Sequence, residues 1–466
     1  MPVECIKFFY PFILTEHFKM DQLPSDNEML VYLEQPNPRI RYTIEVLLFY
    51  ILQIPFKWET DLSTFVQSKK PKINYGRQRI TAKEIYIPAH EWIQSNNLLK
   101  FPPYLFKYNK IPILFHLDTP DADLPFDVVS AAFFLLARVE EYEPFSPDSH
   151  GRFPAKEALM VRKGFQELPI VDIWAQLILE EIRKKNAHLH WAPPNFSYQA
   201  TYDVDLPWKY LHRTWWRSFA GLAKSLITLQ TDQIFERFQV WMRNKPDPYF
   251  TFPQIFQLHQ SRLLKPVFFI PVGEYGPFDK NMAANKPAYR QLIRKLADQY
   301  PIGLHPSYRS LESPNSLARE SGKLEAICGN RPVKSRNHYL RFRLPETYRQ
   351  LLTVGIREDY SMGFAEMPGF RAGTAYAFPW FDLEKNCRTD LMVHPFSFMD
   401  VSLKNQLQLS PETALKKMQS MARTVQKTGG TLISIWHNNS LEDSGDWVGW
   451  NKLYTDWLRW IEQEII

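Results

Sequence analysis

From about residue 198 onward the chain alternates short apolar runs with stretches whose apolar residues recur every three or four positions. The runs SYQATYDVD, PVFFIPVG, PIGLHPS, DLMVHPFSFMD and GTLISIWHNN read as strands. Between them TFPQIFQLHQSRLL, AYRQLIRKLADQY and ETYRQLLTVGIREDYS carry a helical period, the last closing in a short strand. PETALKKMQSMARTVQKTGG is a helix with Pro near its start and a Gly pair at its end. A long helical excursion is expected from Trp216 to Arg243. Upstream, TAKEIYIPAHEWIQS and KIPILFHL supply strand cores, while DVVSAAFFLLARVEEYE and VDIWAQLILEEIRKK have helical spacing. The polar, Pro-containing stretch KKNAHLHWAPPNFSYQA marks a boundary. The pattern predicts an α/β protein: a mixed α/β domain over residues 1–190, then an α/β barrel or sheet over 191–466.

Length supports this division, since 466 residues exceed what one ordinary core accommodates. A composition of 45% hydrophobic and 23% charged residues excludes extensive disorder. The formal charge of +6 is small and its lysines and arginines are scattered, so no nucleic-acid surface is expected. Cys5, Cys328 and Cys387 are far apart, which argues against a disulfide framework and fits a reducing compartment. No run approaches the ~20 apolar residues of a membrane span. The N-terminal apolar patch is flanked by Glu4 and Lys7 and broken by Glu16 and His17, unlike a signal peptide. A cytoplasmic location is the expectation.

Chemistry gathers where the apolar runs stop. Asp203 and Asp205 end the first strand, His305 follows IGL, Arg371 stands in MPGFRAGTAY, and His437 ends LISIWH. Such ends are where an α/β barrel or sheet builds one active site from distant sequence. Residues two apart on a strand share a face, so Asp203 and Asp205 are candidates for one pocket. Two close carboxylates call for a cation or a shared proton. With two imidazoles they suffice to hold a divalent metal and leave a base and an acid, which points to a metal-dependent hydrolase. The plainer reading is that each residue caps a turn or satisfies a buried partner. That plainer reading is preferred for Asp148, His150 and Arg152 in FSPDSHGRF as an ordered loop, for Glu140 and Glu141 as a solvated or paired helix end, and for Asp279 as a turn residue.

Taken together, residues from about 198 to the end resemble the polysaccharide deacetylase superfamily, metal-dependent carbohydrate esterases that remove N-acetyl groups from sugars. Thr201-Tyr202-Asp203-Val204-Asp205 is similar to the family's strand ending in Thr-Phe-Asp-Asp-Gly, Gly303-Leu304-His305 to its histidine motif, Gly369-Phe370-Arg371 to its arginine motif and Ile435-Trp436-His437 to its Leu-x-His motif. Two departures stand out. Val204 separates the two aspartates, leaving open which is base and which is ligand. Arg309 occupies the position of the family's second histidine, and His338 in SRNHYLRF, text similar to that of variant members with an extra N-terminal domain, is the replacement.

The resemblance implies a distorted (β/α) barrel holding a divalent ion, Zn²⁺ by expectation, on Asp205, His305 and His338. It implies Asp203 as base, kept ionised by Arg371, and His437 as acid, acting on an N-acetylated sugar. Asp359, Trp380, Trp436 and Asn438 are candidate substrate contacts; Asp359 also reads as a partner of Arg371 or a loop acid, the tryptophans as core residues, and Asn438 as a support for His437. A cytoplasmic enzyme would act on a nucleotide- or lipid-linked envelope precursor. The alternatives are a hydrolase of a non-sugar C–N bond and a degenerate glycan-binding protein.

Overall fold

A computed structural model describes residues 28–95, 98, 103–187, 189, 195–213, 231–260 and 264–465. The N-terminal apolar patch, Cys5 and the first part of the helical excursion lie outside the described residues; its end forms the helix Thr231–Trp241.

The N-terminal part carries a four-stranded parallel sheet of β1 (Met29–Leu33), β2 (Phe56–Glu59), β3 (Lys72–Gly76) and β4 (Ile85–Pro88), ordered β2-β1-β3-β4. A hairpin of β5 (Leu105–Tyr108) and β6 (Ile111–Leu114) follows. Helix Val128–Leu136 begins where Asp127 caps it, accepting from the amides of Val129 and Ser130, and every one of its residues is buried. Helix Ile170–Lys185 shows the expected amphipathic spacing. Its first-turn Asp172 is buried and accepts from Thr374 Oγ1 (2.5 Å) and the Ala375 amide (2.8 Å), fastening the N-terminal part to a C-terminal loop.

The larger sheet contains β7 (Phe196–Asp203), β8 (Val267–Ile270), β9 (Ile302–Leu304), β10 (Lys334–Ser335), β11 (Glu358–Asp359), β12 (Phe378–Asp382), β13 (Cys387–Val393), β14 (Phe398–Met399) and β15 (Gly430–His437). Its order is β12-β13-β11-β10-β9-β8-β7-β15-β14. Every pair from β13 round to β14 is parallel, and only β12 runs antiparallel on its edge. Parallel strands therefore follow one another in the order a barrel requires, with the last sequence strand, β15, beside the first, β7. Among the described residues no ladder joins β13 to β14, so hydrogen bonding leaves the ring open there.

Side chains alternate across this sheet with period two. Val267, Phe269, Ile433 and Ile435 belong to one apolar cluster on the inner face. Phe268, Ile270, Leu432 and Trp436 belong to the main core on the opposite face, which continues into the N-terminal part. Gly303 matters to the inner face: a Cβ there would stand 2.5 Å from the Phe269 ring. Without that Cβ the ring has room, and the Arg336 guanidinium lies 4.4 Å above it.

Candidate metal centre

The polar cluster is assembled at the carboxyl ends of the parallel strands. Asp203 ends β7 directly opposite His437, which ends β15. Asp205 stands two residues further on, His305 follows β9, and Arg336 and His338 follow β10. His305 Nε2 lies 3.3 Å from Asp205 Oδ1, His338 Nε2 lies 3.5 Å from Oδ2, and His437 Nε2 lies 3.8 Å from the same oxygen. Asp205, His305 and His338 can each offer one ligand atom with all of these atoms within 4.8 Å of one another. The expected ligand set is thus one cluster in space.

Each imidazole is fixed from behind. His305 Nδ1 donates to the Arg336 carbonyl at 2.6 Å, His338 Nδ1 pairs with Asp279 Oδ1 at 2.9 Å, and His437 Nδ1 pairs with Asp400 Oδ1 at 2.9 Å. Tying Nδ1 to an acceptor sets the tautomer and leaves Nε2 as the free nitrogen, the arrangement metal-binding histidines use.

That arrangement decides whether the residues fit a cation. Asp205 Oδ1 is buried and has no hydrogen-bond partner, so the 3.3 Å contact with His305 is not an aligned bond. An imidazole tied at Nδ1 that directs an Nε2 lone pair at a carboxylate oxygen needs a positive charge between them, and either a proton or a metal ion supplies it. Ligand bonds of ~2.0–2.1 Å in a tetrahedron give ligand-to-ligand edges of about 3.3 Å, the scale seen here. The donor set therefore fits a divalent ion.

The electrostatics agree. Burial raises the Asp205 carboxyl, but the charge of His338 and the contacts with both histidines outweigh it and hold the group well below the usual carboxylate range. Burial opposes charge on His338 and His437. Even so, Asp205 and Asp279 push His338 up to about 10, and Asp400, helped by Asp205 and Asp203, pushes His437 up to about 10. A field that holds protons there would hold a divalent cation in their place.

Asp203 is buried, and its arginine partner is Arg336, whose Nη1 reaches Asp203 Oδ1 at 2.9 Å and Thr201 Oγ1 at 2.7 Å. This corrects the expectation for Arg371. Its Nε and Nη2 pair with Glu141 at 2.9 and 2.7 Å, and its Nη1 donates to the Gly363 carbonyl. Arg138 joins the same network through Glu140, Glu141 and the Arg371 carbonyl. Glu140 and Glu141 are accordingly paired, as expected, but buried rather than solvated.

The four candidate substrate contacts are also reassigned. Trp436 precedes His437 on β15, so strand alternation sends it to the opposite face, where it is 0% exposed against Tyr454. Trp380 is 2% exposed and packs edge-on to Tyr348. Asp359 is fully buried and accepts from Ser335, Tyr348 and Ser361, while Ser361 in turn accepts from the Asn337 amide beside His338. Asn438 is buried and donates to the carbonyls of Leu206 and Tyr249, securing the loop just past Asp205 rather than holding His437. Arg309 is exposed, and its side chain lies near Gly276 and Asp279.

Sequence reasoning missed Arg336, Asp279 and Asp400. Asp400 closes the apolar run FSFM just as Asp203 closes its own, and that signal was available. Asp279 and Arg336 sit in loop text with no periodic context; only the three-dimensional approach of the loops after β8 and β10 reveals them.

Residues 29–187 match the model of a family of unknown function, DUF7033, over about a third of the chain. No curated protein matches. Among solved structures the chain is similar to a putative polysaccharide deacetylase from Mycobacterium smegmatis, with 15% identity, TM-score 0.38, and coverage of 59% of this chain and 87% of that one. It is also similar to a polysaccharide deacetylase from Bacillus cereus, with 13% identity, TM-score 0.28, and 57% and 88% coverage. An allantoinase gives 14% identity, TM-score 0.34, and 58% and 85% coverage. These overlaps are loose, and the chemistry of the site rests on its own geometry.

Proposed function

We propose that the protein is a metal-dependent hydrolase that removes the acetyl group from an N-acetylated amino sugar. The observation that carries this reading is the convergence of three Nε2 atoms, each with its Nδ1 tied behind it, on the carboxylate of Asp205, whose buried Oδ1 has no hydrogen-bond partner. Asp205, His305 and His338 would hold the ion, zinc by expectation, within a distorted (β/α) barrel that follows an N-terminal domain. When bound, such an ion supplies a Lewis acid and a water with its pKa lowered towards ~7.

The chain's own groups do the rest. Asp203, held in place and charge-paired by Arg336, accepts the proton of the attacking water. His437, oriented by Asp400, delivers a proton to the departing nitrogen. Acetate and a free amine leave. No helix among the described residues is long and apolar enough to cross a membrane. A cytoplasmic sugar precursor as substrate belongs to the same proposal.

The test is acetate release from N-acetylated sugars by the zinc-supplied protein and by Asp203→Asn. The variant should keep its metal and lose activity by ~10²–10⁴-fold, the usual contribution of a positioned base. Full activity in Asp203→Asn would refute the assignment of the base. Release of ammonia or a non-acetyl product from other amides, with sugars inert, would move the enzyme to a different C–N bond.

A further inference from the structure

The metal cluster is bordered by aromatic rings that the proposed reaction has not used. Phe278 (41% exposed) and Tyr339 (37% exposed) each adjoin a residue of the cluster, Asp279 and His338. The third ring, Tyr308, has its backbone amide on Asp279 Oδ1 at 2.9 Å, the same oxygen that pairs with His338. Phe278 and Tyr308 stack at 4.2 Å between centroids, and Phe278 meets Tyr339 edge to face at 5.9 Å. The wall is therefore fixed to the ligand scaffold at three points.

The N-terminal part supplies a fourth ring. His150 lies 4.8 Å from the Tyr339 ring and 5.7 Å from Phe278, and its Nδ1 is 3.4 Å from the Tyr308 hydroxyl. The loop carrying it is braced from within, because Asp148 accepts from the amides of His150 and Arg152 and from Arg152 Nε. It also grips the segment after His338. Arg152 Nη1 donates to the Tyr339 carbonyl at 2.7 Å, and Arg341 Nε donates to the His150 carbonyl at 3.0 Å. Tyr339 and Leu340 have φ of 59° and 54°, a left-handed turn that bulky residues hold only when their surroundings enforce it. These contacts from residues 148–152 are part of that enforcement.

We propose that Phe278 and Tyr339, backed by Tyr308 (whose ring is held between Phe278 and the Arg341 guanidinium) and completed by His150 from the N-terminal part, form a stacking wall for the apolar face of a pyranose ring beside the metal centre. Flat C–H faces suit aromatic surfaces, and the phenol and imidazole edges offer polar partners for ring hydroxyls. The choice of a sugar rests on the deacetylase reading above. The wall also gives the N-terminal part a role: it builds one side of the substrate cleft.

The experiment uses the full zinc-supplied chain and N-acetylchitotetraose, measuring binding by calorimetry, acetate release, and zinc content. Phe278→Ala and Tyr339→Asn, the latter chosen because Asn tolerates positive φ, should each weaken binding about 5-fold, with zinc content unchanged. His150→Ala should weaken it about 2-fold. Equal binding by the natural chain and all three variants overturns the wall, as does absence of measurable binding by the natural chain. Ring-dependent binding without acetate release leaves the wall standing and refutes the deacetylase reading instead.

Discussion

This molecule holds two clusters of charged residues that differ in how completely their atoms are partnered. Around Arg371, the guanidinium has Glu141 and the Gly363 carbonyl, Glu141 also has Arg138, and Arg138 also has Glu140. Around Asp205, the buried Oδ1 has no hydrogen bond and the Nε2 atoms of His305, His338 and His437 face a carboxylate with their other nitrogens already engaged. A saturated network fastens one part of a protein to another. An unsaturated one is arranged for something that arrives from outside. In the sequence Arg371 and His305 looked equivalent, each a polar residue beside an apolar run; their partners separate them.

The largest expected effect breaks the comparison along this line. Arg371→Met leaves Glu141 buried with one cation lost, and should cost ~3–5 kcal/mol of stability in urea unfolding. The zinc content of the folded fraction should stay the same. His338→Ala should do the reverse, abolishing stoichiometric zinc in elemental analysis while leaving the unfolding midpoint of the metal-free protein nearly in place. Zinc lost from Arg371→Met, with folding intact, would return that arginine to the site.

Buried imidazoles sharpen the contrast at the next scale. His259 is buried among neutral partners: its Nδ1 donates to the Leu264 carbonyl at 2.7 Å and its Nε2 meets the hydroxyls of Tyr202 and Tyr454. Burial draws it down to about 4, where carboxylates draw His338 and His437 up to about 10. The folded pKa of His259 lies below the unfolded value of ~6.5, so the unfolded chain binds the extra proton between them. Its contribution is complete above pH 6.5 and is lost as pH falls towards 4, by about 3 kcal/mol. Unfolding free energies measured across that range should show the loss, and His259→Gln should flatten it; an unchanged slope in the variant would assign the acid sensitivity elsewhere.

The sequence made the repeating frame legible because strand and helix periods are local. The runs around residues 198–205, 267–270, 302–304 and 430–437 appear as strands, and the Pro411–Thr428 helix lies where its Pro and Gly pair placed it. The edge strand Phe378–Asp382 escaped notice, since PWF carries no alternation that a core loop would lack. Of the site, the residues at strand ends were readable and their partners were not. Which arginine meets Asp203 depends on a stacking contact with Phe269 that Gly303 permits, and no spacing along the chain encodes it. Trp436 misled because a residue next to a strand-end histidine is close in sequence yet faces away.

A smaller effect separates the supports of the cluster from its ligands. Asp279 touches no reacting atom in the proposed mechanism, but it accepts from His338 and fixes which nitrogen faces Asp205. Replacing it by Asn keeps the size and removes the charge, which should weaken zinc affinity 10–100-fold in a competition titration with a chromogenic chelator. Affinity equal to that of the natural chain would make Asp279 the turn residue its sequence suggested.

The smallest effect tests the departure that the sequence made most conspicuous. Arg309 stands where the resembled family has its second histidine, yet it is exposed, and His338 brings its imidazole to Asp205 from a different loop. If the ligand position has moved in this way, Arg309 has no metal to hold. Arg309→Ala should then change stability by less than ~0.5 kcal/mol and leave zinc affinity untouched. Arg309→His is the sharper version, because it restores the family residue at its family position. A rise in zinc affinity, or recovery of zinc binding when it is combined with His338→Ala, would mean that the backbone still presents the old ligand position to the cluster. Failure to rescue would show that the third ligand has been transferred to the loop that the N-terminal part grips.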